Sequence, residues 1–293
     1  MKTNFRNIIL CISFGHSSSQ VYDAMRGALE HSRTHVDTLV VVADDCSGNP
    51  PLNIEGAVLL ETPSRRGYSG VVNYVLETYP DVNGRILLIN PDACLESMAV
   101  SELLSDAHGI AVPRVLNPAG ELENIRRATN ASEQLRALLF GERSADRTSR
   151  MGVTVESGSI VCPPYAPSGS VLAIPIQHLR SVPLRAEFFW LEQSDWVIRF
   201  SRLYGPVEVA VLPVGASHTG ASTSLRYPLS VAASQLRTKI NFVNEYGNIG
   251  LRMLLPLGVA LRAGRFAIKT RKVSNAWFLL KVAAGMADWR VSK

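Results

Sequence analysis

Acidic residues in this 293-residue chain stand where chemistry is commonly done. The apolar run Thr38-Leu39-Val40-Val41-Val42-Ala43 ends in Asp44-Asp45, and the run Arg85 to Ile89 ends in Asn90-Pro91-Asp92. In an open parallel sheet, ligands sit beyond the carboxyl ends of the strands. A carboxylate there is either a helix cap or turn former or a ligand for a hard divalent cation, which takes oxygen donors and bridges to substrate phosphates. Asp45 is assigned the cap or turn role. Asp92 is assigned the ligand role, because Pro91 fixes the approach of the chain and the strand before it is apolar throughout. Other chemistries lack their residues. A dinucleotide loop would read Gly-x-Gly-x-x-Gly after the first strand, but the chain reads Phe14-Gly15-His16-Ser17-Ser18-Ser19. Neither a Gly-Lys-Ser/Thr phosphate loop nor a Gly-x-Ser-x-Gly nucleophile elbow occurs.

The elements that must position these acids alternate. Ile8 to Phe14 is a continuous apolar run of buried-strand length, followed by a helix over 17–31 that serines can cap. Strands over Thr38–Ala43, Ala57–Glu61, Arg85–Ile89 and Ile110–Val115 alternate with helices over Gly67–Tyr79 and Glu96–Ala107. That alternation predicts a doubly wound, mostly parallel α/β sheet. Residues 117–165 are polar, Arg-rich and poorly periodic, and are expected to form a mobile insertion. A second apolar block spans Gly169–Ile176. Phe188 to Tyr204 is helical after its first few residues, Val207 to Pro213 is a strand, and helix dominates from Pro228.

At 46% hydrophobic and 19% charged, the chain can bury a sizeable core and is not disordered. No apolar run reaches the 18 or so residues that span a bilayer. The N-terminus lacks a small-residue cleavage site and reads as a strand rather than a signal peptide. The four cysteines (Cys11, Cys46, Cys94, Cys162) form no Cys-x-x-Cys pair and are expected to be buried small hydrophobes in a reducing compartment. The expected location is cytoplasmic. The net charge of +5 is unevenly spread: residues 1–225 hold 18 Lys/Arg against 23 Asp/Glu, whereas residues 226–293 hold 12 against only Glu245 and Asp288. Arg262, Arg265, Lys269 and Lys272 recur as one helical stripe, and Leu251, Leu254, Leu257, Leu261, Phe266, Trp277 and Phe278 supply an apolar complement. Such a tail either lies on an anionic membrane surface, on the inner face of the plasma membrane, or packs on the body with a solvated basic face. It could equally pair with a second copy. Nucleic acid is not an expected partner, since no aromatic-basic motif or nucleic-acid module is present.

Taken in order along residues 7–225, a series of motifs resembles the family-2 glycosyltransferases of GT-A fold, particularly the rhamnosyltransferase-like members. Val40-Val41-Val42-Ala43-Asp44-Asp45-Cys46-Ser47 is similar to the family's strand ending in Asp-Asn-x-Ser, and Gly67-Tyr68-Ser69-Gly70-Val71-Val72-Asn73 to its Gly-Phe-Ala-Gly-Gly-x-Asn helix start. Ile86-Leu87-Leu88-Ile89-Asn90-Pro91-Asp92-Ala93 resembles its metal-binding Leu-Leu-Asn-Pro-Asp-Ala, and Val112-Pro113-Arg114 with Gly120 the segment after it. Phe188-Phe189-Trp190-Leu191-Glu192-Gln193-Ser194-Asp195-Trp196 with Arg199 resembles the Phe-Phe-x-Tyr-x-Glu-Asp-x-Asp helix, and His218 with Gly220 and Ser222 the closing His-x-Gly.

The resemblance implies a GT-A domain over 1–225, divided into a nucleotide-sugar half (1–116) and an acceptor half (117–225), with a basic helical region over 226–293. It implies that Asp44 contacts the nucleobase, that Ser13, Asp44, Arg65, Arg66, Gly67, Asn90 and Asp92 form the donor site, and that Asp92 with His218 holds Mn2+ or Mg2+. Arg65-Arg66 stands where the family often has Asn-x, and a guanidinium there can meet a diphosphate. The family's base is usually the second acid of Glu-Asp. Here that position is Gln193, which cannot take a proton usefully; Glu192 is the nearest substitute and Asp195 the next. The implied activity is inverting transfer of a sugar, rhamnose or similar, from a uridine or thymidine diphosphate donor to a lipid-linked or polysaccharide acceptor. Gln193 keeps a second reading open, a non-catalytic domain that binds nucleotide-sugar or glycan as a scaffold. A nucleotidyltransferase would need a Gly-x-x-Arg loop with a nearby Lys after the first strand, and neither occurs.

Overall fold

The computed structural model describes residues 5–46, 53–116, 125–127, 129–141, 158–162, 165–167, 169–218 and 228–287. Ser47, Gly120, Gly220, Ser222 and much of 117–165 lie outside the described residues. Contacts group the chain into two units. The first is Met1–Arg126, Val153–Ala186 and Trp196–Gly220, and the second is Arg127–Gly152, Glu187–Asp195 and Ala221–Lys293.

The first unit is built on strands β1 (Asn7–Ser13), β2 (Thr38–Asp44), β3 (Val58–Glu61), β4 (Arg85–Ile89), β5 (Ala93–Leu95) and β6 (Ile110–Leu116). Between them run helices α1 (Ser18–Thr34), α2 (Gly67–Thr78) and α3 (Ser97–Leu104). Short strands β7 (Ile125–Arg127) and β9 (Tyr165–Pro167) form a two-stranded sheet of their own. Later come β8 (Gly158–Cys162), β10 (Val171–Pro175), α5 (Ile176–Ser181) and β11 (Val207–His218). The main sheet has the order β3-β2-β1-β4-β10-β6-β11-β5, with β8 also on β11. Neighbours β3, β2, β1 and β4 are parallel, as are β6 and β11, whereas β10, β5 and β8 run against their partners. Strands β1 and β4 are buried at every residue, which is why they read as unbroken apolar runs rather than alternating ones. Helix α1 starts where Ser17 and Gln20 close a capping box.

Gly27 lets α1 approach β5. A Cβ there would stand 2.2 Å from the Leu95 carbonyl oxygen, a backbone atom that cannot swing aside. Gly27→Ala is therefore expected to destabilise the fold by about 2–3 kcal/mol, read as a lower urea midpoint with unchanged slope.

Three expectations are corrected. Within 117–165 the chain forms β8, a member of the main sheet, and helix α4 (Ala131–Phe140), capped by the Asn130–Glu133 box. Its buried residues Ala131, Gln134, Leu135 and Leu138 do recur at helical spacing, but the stretch is short and sits among polar, Arg-rich residues. Strand β11 runs past Pro213 to His218, because an irregularity between Val211 and Gly215 absorbs the proline. Of the cysteines, Cys11 and Cys162 are buried, but Cys46 is exposed and Cys94 only partly covered; all four are free thiols.

The second unit combines α4, the first turn of α6 (Glu192–Tyr204) and helices α7 (Pro228–Tyr246), α8 (Ile249–Met253), α9 (Leu255–Thr270) and α10 (Val273–Ala283). Its core includes Leu135, Leu138, Leu236, Val243, Leu255 and Leu279. Gly258 allows close crossing of α9 and α4, since a Cβ there would lie 3.0 Å from Leu138 Cβ. Arg265 donates to the carbonyls of Leu138 and Leu139, and Arg237 to those of Val282 and Ala283, so two basic residues add side-chain donors at helix ends. The expected stripe is also interrupted. Arg271, at φ 54°, ends α9, and Lys272 caps α10 instead of continuing the line of Arg262, Arg265 and Lys269.

Candidate active site

The parallel neighbours β2, β1 and β4 bring their carboxyl ends into one row. Ser13 and Asp44 are register partners, and Asn90 to Asp92 leave β4 one strand further along. Asp92 then turns into β5, which pairs antiparallel with the end of β11 in a register that sets His218 opposite Ala93. This register brings together two side chains 126 positions apart: His218 Nε2 lies 3.1 Å from Asp92 Oδ1, and each side chain keeps 13% of its surface accessible. Burial pushes the Cys11 thiol far above its ordinary range, and the nearby Asp92 charge pushes it further, so that carboxylate acts on the end of β1 as well.

The pair fits a divalent cation by chemistry and spacing. Two adjacent ligands at about 2.1 Å from an octahedral ion are about 3 Å apart. An imidazole nitrogen suits a first-row transition ion better than Mg2+, which favours Mn2+. Among the described residues no group of three or more His, Cys, Asp or Glu could hold a metal. Two protein ligands leave several positions for substrate oxygens and water.

Asp45 has the structural role expected of it. Its buried carboxylate accepts from Arg66 N at 2.7 Å, Gly67 N at 2.8 Å and Thr62 Oγ1 at 3.1 Å, tying the end of β2 to the start of α2. Gly67 sits at φ 71°, a conformation side chains resist. The Arg66 guanidinium lies 4.4 Å from the centre of the Tyr74 ring, and Arg65 is half-buried beside it. Ser13 is fully buried, its Oγ accepting from His16 N at 3.3 Å. Asp44 keeps a partly open side chain while its carbonyl accepts from Thr62. Asn90 forms the turn, donating its N–H to Ser170 O and accepting from Ala93 N. Asn73, the last residue of the glycine motif, donates to Leu184 O at 2.7 Å.

In the second unit, Glu192 opens α6 and is 4% exposed. Burial pushes its carboxyl up to about 7, and the Asp195 charge adds to the rise; N–H groups of Trp190 and of Glu192 itself pull the other way. Trp190 is a bulky residue at φ 76°, a strained conformation held directly before this helix start. Its ring is 45% exposed. Asp195 has no exposed surface and accepts from Tyr246 Oη at 2.6 Å. Sequence reasoning missed that tyrosine, because one Tyr in a long helix carries no signal of its partner. In the first unit the rest of α6 is held by Trp196 Nε1 to Val182 O (2.8 Å) and Arg199 to Pro183 O (2.7 Å), so Arg199 does structural work.

No protein-family model matches the chain, and no curated protein matches it in sequence. Solved structures do match. Mannosyltransferase PcManGT from Pyrobaculum calidifontis, in complex with GDP-Man and Mn2+, aligns at TM-score 0.46 and 12% identity over 97% of this chain and 76% of its own. S. aureus TarS 1–349 in complex with UDP gives 0.47 and 11% over 96% and 92%. GalNAc-T7 with UDP, GalNAc and Mn2+ gives 0.53 and 13% over 98% of this chain and 58% of that one, so the chain spans little more than half of that protein. At such identities likeness speaks to the fold alone. The curled mixed sheet, the helices on it and the helical C-terminal part together make this a GT-A fold.

Proposed function

We propose that the protein is an inverting, metal-dependent glycosyltransferase that moves a sugar from a uridine or thymidine diphosphate donor to a hydroxyl of a lipid-linked or polysaccharide acceptor. The observation that carries this reading is the Asp92–His218 pair beyond the carboxyl end of β4. Rhamnose is the sugar suggested by the motif series, and the UDP and Mn2+ bound in the GalNAc-T7 complex accord with a uridine diphosphate donor and a divalent cation. In this reading Asp44 meets the nucleobase, and Asp92 and His218 hold the cation. When bound, the ion would neutralise the charge that develops on the departing diphosphate. Arg65 and Arg66 stand at the start of α2, where the first N–H groups are taken by Asp45 and the guanidinium groups are what would meet a diphosphate. Glu192 takes the proton of the acceptor hydroxyl as its oxygen attacks the anomeric carbon. Displacement in line needs no enzyme nucleophile, which accords with the absence of nucleophile motifs.

Gln193, with the deep burial of Glu192 and Asp195, favours one competing reading, a domain that binds nucleotide-sugar without turning it over. One experiment separates the two. The purified chain is titrated with nucleoside diphosphates with and without Mn2+ in a thermal-shift assay, and UDP or TDP release is then measured with donor and membrane extract. Metal-dependent stabilisation by one base together with release supports transfer. Stabilisation without release on any extract supports the scaffold, and no stabilisation by any nucleotide overturns both.

A further inference from the structure

Helix α9 is apolar on both sides. One side buries Leu255, Gly258 and Ala263 in the second unit's core. The exposed residues are Pro256, Leu257, Ala260, Leu261, Gly264 and Ile268, with Lys269 in the last turn the one charged side chain among them. Leu257, Leu261 and Ile268 recur at the spacing of a single stripe, and are 53%, 42% and 80% exposed. A helix covered by one body has a polar outer face, so an apolar outer face implies a second contact. Ile249, Met253 and Leu254 before α9 and Val273 and Trp277 after it are exposed as well. Of the 18 large hydrophobics exposed among the described residues, nine fall within residues 249–286.

Charge identifies the partner. Residues 246–287 hold seven Lys/Arg and no Asp or Glu. Arg262 and Arg265 are turned to Gln235 and to the end of α4. Arg252, Lys269, Arg271 and Lys272 are exposed and stand on either side of the Leu257–Ile268 stripe in sequence. Lys281 lies 5.7 Å from the centre of the Trp277 ring, an aromatic-cation pair of the kind found where apolar and aqueous layers meet. No helix among the described residues is long and apolar enough to cross a membrane.

We infer that the outer face of α8–α10 docks on the surface of an anionic lipid bilayer, with α9 lying in the plane of the interface. The Leu257–Leu261–Ile268 ridge enters the acyl boundary, and the cations at either end meet lipid phosphates. A second copy fits worse, since it would set one acid-free basic face against another. The inference is drawn from these helices alone and does not depend on the transfer reaction.

The test uses the full chain in flotation with vesicles of phosphatidylcholine alone or with about a third phosphatidylglycerol, without donor or acceptor. Binding is expected only to the anionic vesicles, weakening by about tenfold or more in high salt. Leu257→Gln with Leu261→Gln, and separately Lys269→Gln with Lys272→Gln, are each expected to weaken it by about tenfold or more. Both pairs are exposed, so melting temperatures should match the parent and exclude unfolding as the cause. The proposal is overturned if no vesicle binds, if the leucine pair binds like the parent, or if sedimentation shows a dimer that the leucine pair dissolves. Because UDP release is measured separately, failure here and failure of the transferase reading give different results.

Discussion

Asp92→Asn is expected to lower sugar transfer by about 10²–10³-fold, the usual effect of removing a charge that supports a departing anion. The carboxylate is partly open and bonded to His218 at 3.1 Å. Its amide can still accept from the imidazole, so stability should change by no more than about 1 kcal/mol. A second readout separates the metal role from a structural one. In the parent, Mn2+ should increase the thermal shift produced by the preferred nucleoside diphosphate, and Asp92→Asn and His218→Asn should each remove that increment. If the two side chains hold one ion, the double variant should be little worse than either single one. Full activity in an Asp92→Ala variant, or an undiminished Mn2+ increment in both single variants, would overturn the assignment.

How this pair became legible shows what the residues alone can tell. Asp92 stood out by itself, as an acid after a proline at the end of an apolar strand. His218 did not. Nothing in its spacing ties it to a residue 126 positions earlier, and only the ordered motif series joined them. The physical tie is the register of β5 on β11. Neither strand announces it, since β5 has three residues and β11 passes through Pro213. Strands β1, β2 and β4 were readable because burial on both faces writes an unbroken apolar run. Asp45 was readable as a structural acid because it stands between a strand and a turn, but its donors, Thr62, Arg66 and Gly67, are 17 to 22 residues further on and come from the fold. Helix α4 went unread because its short amphipathic pattern sits among polar, Arg-rich residues, and Tyr246 because it finds Asp195 only through the tertiary fold. Local pattern thus recovers what local burial writes and misses what distant packing decides.

Glu192→Gln should separate catalysis from binding. In the parent, transfer at saturating donor is expected to rise with pH to a plateau, with a midpoint at about 7, because a base must be ionised to take the acceptor proton and burial holds this carboxyl's ionisation near neutrality. The Gln variant should lose about 10²–10⁴-fold in kcat and lose that rising limb, while binding nucleotide and Mn2+ as before. Stability gives an independent check. The folded-state value lies above the unfolded one, 4.5, so the folded chain holds its proton more tightly, and stability should fall as pH rises from about 4.5 to about 7, then level off. The fall attributable to this group is about 3 kcal/mol, and Gln, which stays neutral, should not show it. The stability difference between the variant and the parent should therefore grow in favour of the variant across that window. Asp195→Asn serves as the contrast. Fully buried against Tyr246 Oη, it should cost stability and, by removing a charge that helps raise the Glu192 carboxyl, move the midpoint of the rate profile down while keeping the rising limb. A Gln variant within a few-fold of the parent rate, or one that keeps the limb, would move the base elsewhere. If the limb instead vanished with Asp195→Asn and persisted in Glu192→Gln, the base would be the carboxylate one turn further along α6.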